Sequence, residues 1–181
     1  MNLGDSWQRL SPADSHYFFG YYDRNPWSPG NAFHLALKVD QCERLPAVGE
    51  QAEVGVIERD TNQFHRLATT RGWCHQQGAM TLWMPHRPGC FIFNDWDDKD
   101  HRLVARICSL DQGIVGAYNR PIYALSPNGR WGASLNFNRI PRRGYSYADA
   151  TLDTSAVDAD SDGIFIVDMQ SGESRLAVSY G

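Results

Sequence analysis

Ser126-Pro127-Asn128-Gly129-Arg130-Trp131 decides the fold. Proline presets the first turn position and Asn-Gly supplies the turn that follows, so the stretch reverses the chain. Short β-rich runs flank it, Ile122–Leu125 before and Trp131–Phe137 after. Two earlier stretches repeat the device: Trp27-Ser28-Pro29-Gly30 and Met84-Pro85-His86-Arg87-Pro88-Gly89. Pro29, Pro85 and Pro127 are 56 and 42 residues apart. Each turn joins the first two strands of a set of four. The first set is Tyr17–Asp23, Ala32–Val39, Glu53–Arg59 and Phe64–Ala68. The second is Gln77–Trp83, Cys90–Asn94, Leu103–Ser109 and Ile114–Ala117. The third adds Gly163–Asp168 and Ser174–Val178 to the pair already named.

The third strands also resemble one another: Val54-Gly55-Val56-Ile57-Glu58-Arg59, Val104-Ala105-Arg106-Ile107-Cys108-Ser109 and Gly163-Ile164-Phe165-Ile166-Val167-Asp168. A four-stranded unit recurring every 40–56 residues is the signature of a β-propeller blade. A β-sandwich explains the strands but not the repeated turn. The fold class expected is therefore all-β, with about three four-stranded antiparallel blades at 15–70, 75–118 and 121–179, in one partial propeller over 1–181. Propellers close with about four to eight blades. The expectation is the first part of a larger ring, or a subunit that finds its remaining blades in a partner or in a homo-oligomer.

Composition narrows the function. The chain has 181 residues, 17 Lys+Arg against 21 Asp+Glu and a net charge of −4, which argues against a general nucleic-acid binder. No run approaches the roughly 18 apolar residues of a membrane span. The first residues, Met1-Asn2-Leu3-Gly4-Asp5-Ser6, lack the basic and apolar regions of an export signal. A cytoplasmic location is expected, or a periplasmic or secreted one if the natural chain begins upstream. Cys42, Cys74, Cys90 and Cys108 form no C-x-x-C pair, so reduced, mostly buried thiols are expected. Six Trp, eight Tyr and eight Phe suit strands and sugar-facing surfaces.

Ser126-Pro127-Asn128-Gly129-Arg130-Trp131 resembles the turn of TolB-like propeller blades. His16-Tyr17-Phe18-Phe19-Gly20-Tyr21-Tyr22-Asp23, Trp73-Cys74-His75-Gln76-Gln77-Gly78 and Phe91-Ile92-Phe93-Asn94-Asp95 are more particular. Together they resemble seven-bladed propellers related to polysaccharide lyases, of the ulvan-lyase and oligogalacturonate-lyase kind. The resemblance implies cleavage of acidic, uronate-containing polysaccharides by β-elimination. It carries over His75 and, more weakly, Asn94. The alternative is a non-catalytic propeller that binds a glycan or a protein, or a fragment lacking activity on its own.

Blade geometry supplies a separate test. The start of an innermost strand, the end of the second and the start of the third share one end of a blade. His16, His75, Gln76, Asn94 and the segment from Arg139 to Tyr147 collect there. β-Elimination needs a cationic or polar group on the carboxylate, a base for the C5 proton and an acid for the leaving oxygen. His75 suits base or acid. Tyr145 or Tyr147 is the candidate partner. Arg143, Arg142 or Arg139 could hold the carboxylate in a bidentate pair. Gln76, Asn94 and His16 are candidate sugar-binding groups. His75 and Gln76 are equally suited to hydrogen-bonding backbone at a crossover between blades, and Asn94 to ending a strand. The expected partner is an acidic polysaccharide or oligosaccharide. No cofactor is required. Asp158, Asp160 and Asp162 could wrap Ca²⁺, but the competing reading is a solvated acidic turn.

Overall fold

The computed structural model describes residues 8–140, 147–150, 158 and 160–181. These residues form three four-stranded antiparallel sheets. The first contains β1 (His16–Phe18), β2 (Phe33–Val39), β3 (Ala52–Glu58) and β4 (Phe64–Thr70). The second contains β5 (Leu82–Trp83), β6 (Cys90–Asp97), β7 (Arg102–Ser109) and β8 (Gly113–Tyr118). The third contains β9 (Ala124–Leu125), β10 (Trp131–Ser134), β11 (Gly163–Asp168) and β12 (Ser174–Ser179). In each sheet the strands follow one another in chain order, as a meander. The architecture is all-β and blade-like, with the strands grouped as the repeated turns predict.

Several strand boundaries differ from the sequence reading, among them those of β1, β5 and β10. β1 stops at Phe18 because Gly20, at φ 136, redirects the chain against the backbone of Gln77. β5 shrinks to Leu82–Trp83 because the preceding residues close a tight loop. There the Cys74 amide donates to the Gly78 carbonyl, and Met80 sits at φ 52. β10 ends at Ser134, and Phe137–Arg139 forms a short 3-10 turn. The Asn136 side chain accepts the Asn138 amide at the start of that turn, drawing those residues off the sheet.

Alternation along the strands explains the stacking. Leu35, Leu37 and Val39 of β2, with Val54 and Val56 of β3, share a core with Phe91 and Phe93 of β6 and Cys108 of β7. The other face of the second sheet presents Cys90, Ile92, Ala105 and Ile107 to Val167 and Met169. The middle sheet is thus buried on both faces, which is why Cys90-Phe91-Ile92-Phe93 is an uninterrupted apolar run. A third cluster, Cys74, Met80, Leu103, Phe137, Tyr147 and Ala150, fills the end where β2 finishes. All four cysteines are free thiols; Cys74, Cys90 and Cys108 are buried and Cys42 is exposed. No helix among the described residues is long and apolar enough to cross a membrane.

Candidate functional site

Antiparallel pairing fixes two ends. His16 pairs with Val39 and Ala52 with Thr70, so the start of β1, the end of β2, the start of β3 and the end of β4 lie together. The three Pro/Gly turns lie at the opposite end. His75 follows β4 by a few residues and belongs to the first of these ends, the loop-bearing one.

His75 is partly buried, with its ring 5.8 Å from that of Phe18 and 5.1 Å from that of Trp73. Its Nε2 lies 3.2 Å from the Gln41 carbonyl oxygen. A carbonyl only accepts, so Nε2 carries the proton of this bond. In the neutral ring Nδ1 is then the nitrogen with the free lone pair. Among the described residues Nδ1 has no partner. Next to Gln41 stands Cys42, whose Sγ is 3.4 Å from Nδ1 of His16. His16 and His75 therefore flank the Gln41–Cys42 strip. Gln76 is exposed beside them.

Glu50 braces this strip. It accepts from the Gln41 side chain at 3.1 Å, the Ala47 amide at 2.8 Å and Arg44 at 2.7 Å. The Arg44 guanidinium, aided by the Ala47 amide and Gln41, lowers the Glu50 carboxyl from 4.5 to about 2. The Trp73 indole N–H donates to the Glu50 carbonyl, tying the strip to the segment that carries His75. Arg71 and Asp149 add a second tie: their ion pair, with the Gly49 amide 3.1 Å from Asp149 Oδ2, joins three separate parts of the chain.

Two expected sugar-binding residues stand elsewhere. Asn94 is 1% exposed. Its Nδ2 donates to the Ile122 carbonyl and to the Tyr147 hydroxyl, and its Oδ1 accepts the Ile122 amide at 2.8 Å. Tyr147 is fully buried and stacks on Phe137 at 5.0 Å, and that burial raises its hydroxyl pKa well above 10.0. Both join the second sheet to the third from the interior and present no surface to a glycan. Sequence placed Asn94 at a strand end, whereas β6 runs on to Asp97 and pairs Asn94 with Ala105.

Arg139 is held by Asp162, Nε to Oδ2 at 3.1 Å. Tyr145, Arg142 and Arg143 lie outside the described residues. Asp158 accepts the Asp160 amide at 3.1 Å and the Ser161 hydroxyl at 2.5 Å. With Asp162 turned to Arg139, the three aspartates serve local turns and an ion pair in this arrangement.

A cleft of about 710 Å³ opens at the turn-bearing end between Trp27, Trp83, Met84 and the three turn prolines. Sequence reasoning did not single it out, nor Gln41 and Cys42. The only signal for that pair was their place just beyond β2, at the end where the candidate groups collect. No protein-family model matches the chain, and no curated protein matches it.

Proposed function

We propose that the three sheets are successive blades of a β-propeller that acts on acidic, uronate-containing polysaccharides at its loop-bearing end, by β-elimination. The observation that carries the reading is the contact of His75 Nε2 with the Gln41 carbonyl at 3.2 Å. With Nε2 set against the Gln41 carbonyl, Nδ1 is left as the basic nitrogen of a ring that stands beside the Gln41–Cys42 strip.

Propeller closure is supported by the stacking itself. Each described interface joins two apolar sheet faces, and the outer face of the third sheet continues the pattern. Trp131, Ile164 and Val178 are 42%, 39% and 57% exposed there. A further four-stranded sheet of the same kind packs on that face in the complete ring.

In the proposed reaction His75 Nδ1 takes the C5 proton of a uronate. The electrons of the C5–H bond form the C4=C5 double bond, and the C4–O bond breaks with its pair on the leaving oxygen. Tyr145 is the proposed proton donor to that oxygen. Arg143, supported by Arg142, is the proposed partner of the carboxylate, which makes the C5 proton acidic enough to remove. His16 and Gln76 are assigned to sugar hydroxyls. A non-catalytic glycan-binding propeller is the second reading. It is favoured by the burial of Asn94 and Tyr147, which removes two groups from the expected set.

The test is ultraviolet absorbance of the unsaturated uronate product, over a panel of polyuronates and sulfated polysaccharides. The lyase reading predicts a rise with one of them and a loss of at least about a hundredfold in rate for His75→Gln. No rise with any substrate, together with glycan binding unchanged in His75→Ala, contradicts it. No rise with binding lost in His75→Ala leaves the second reading in place.

A further inference from the structure

A second cleft, about 410 Å³, opens between the second and third sheets. The start of β7 gives Arg102, the crossover from β8 to β9 gives Asn119 and Arg120, the segment after β10 gives Asn138, and β12 begins with Ser174. Among the described residues its lining contains two guanidinium groups and no carboxylate, in a chain whose net charge is −4.

Arg120 is the unusual member. Its guanidinium lies 3.4 Å from the Phe165 ring centroid, a stacked cation–π position. Its Nε donates to the Ser174 hydroxyl at 3.2 Å, the one hydrogen bond of this side chain among the described residues. A flat guanidinium held by its face and by Nε keeps its terminal N–H groups for a second ligand. Burial lowers its pKa, and the nearby Arg102 adds to that direction while Asp162 opposes it. Among the described residues Arg102 is itself paired with one carboxylate, that of the exposed Asp100 at 2.8 Å. It also reaches the Asn119 carbonyl oxygen at 3.4 Å, which leaves the Asn119 amide N–H₂ unengaged. The Asn138 side chain has no partner among the described residues. Fixed donors and guanidinium N–H groups left open around a cleft are the elements of an oxyanion site.

We infer that this cleft binds one oxyanion, a carboxylate or sulfate carried by a glycan. Arg120 forms the bidentate contact, and Arg102, Asn119 and Asn138 complete the shell. The nature of the carrier rests on the acidic-polysaccharide reading; the charge of the ligand does not. The lining of the cleft includes neither His75 nor Gln41 and Cys42, so the role assigned to it is a grip on the chain and not bond cleavage.

Calorimetric titration with sodium sulfate and, separately, with a galacturonic acid trisaccharide tests this. Arg120→Lys keeps the charge but removes the fork, and Arg102→Gln, at an exposed side chain, guards against a folding defect. The inference predicts that sulfate binding weakens at least about tenfold in Arg120→Lys and about threefold in Arg102→Gln, and is unchanged in His75→Gln. A trisaccharide that competes with sulfate and suffers the same losses confirms a glycan carboxylate as ligand. Sulfate binding with those losses but no trisaccharide binding upholds the anion site and counts against the acidic-polysaccharide reading. Absence of sulfate binding, or affinities unchanged in both arginine variants, overturns the inference.

Discussion

The Glu50 carboxylate shows how single residues hold the candidate site. It is a brace and not a participant: it fixes the loop whose Gln41 carbonyl sets the tautomer of His75. Its carboxyl is depressed from 4.5 to about 2, with Arg44 the largest cause. The stabilisation from this depression is complete above about pH 4.5 and is lost as pH falls toward 2. Arg44 is 58% exposed at the side chain, so solvent screens the pair and its contribution is about 1 kcal/mol. Glu50→Gln should therefore be about 1 kcal/mol less stable than the parent at neutral pH in urea unfolding. That gap should close between pH 4.5 and 2. A gap that stays constant over that range assigns the loss to something other than the charge.

At the scale of elements, the repeated turn is both a sequence marker and a packing unit. Gly129 of the third turn has φ 68, in the left-handed region. A Cβ there would stand 2.4 Å from Nδ1 of His86 and 3.0 Å from Cδ of Pro85, both in the second turn. Adjacent turns therefore touch, and glycine is needed for conformation and for space. Gly129→Ala should cost about 1–2 kcal/mol in thermal or urea unfolding. A neutral substitution shows that the turns are not in contact.

The strand grouping was legible because turn chemistry and hydrophobic alternation agree in all three units. The inner-strand boundaries were not, because Gly20 and Met80 adopt backbone angles set by neighbouring loops and not by propensity. Asn94 misled for a related reason. Asparagine favours turns, but this one replaces missing backbone partners inside the protein, bonding Ile122 through both ends of its amide. His75 was legible as a candidate, while its tautomer depended on a carbonyl 34 positions earlier in the chain. Arg120 was invisible because its significance lies in what surrounds it, a ring from β11 and the start of β12.

At the scale of the molecule, the two faces of the stack differ. Phe91 is fully buried between the first and second sheets, and Phe91→Ala should cost about 3–5 kcal/mol. Trp131, Ile164 and Val178 make up an outer face that is still in contact with solvent. Val178→Thr should therefore shift stability by no more than about 0.5 kcal/mol in the isolated chain. A large loss there would mean that the face is already covered, for example by a second copy, and solution mass would identify it.

The stack offers competing places for a ligand: the His75 and Arg120 regions, and the larger cleft among the Pro/Gly turns. Backbone amide NMR with a titrated galacturonic acid trisaccharide decides between them. Glycan binding at His75 and Arg120 predicts shifts at Gln41, Cys42, His75, Gln76, Asn119 and Arg120, with Trp27, Gly30, Met84, Gly89 and Gly129 unmoved. Shifts confined to that second group would place the ligand at the turn-bearing end and contradict binding at His75 and Arg120.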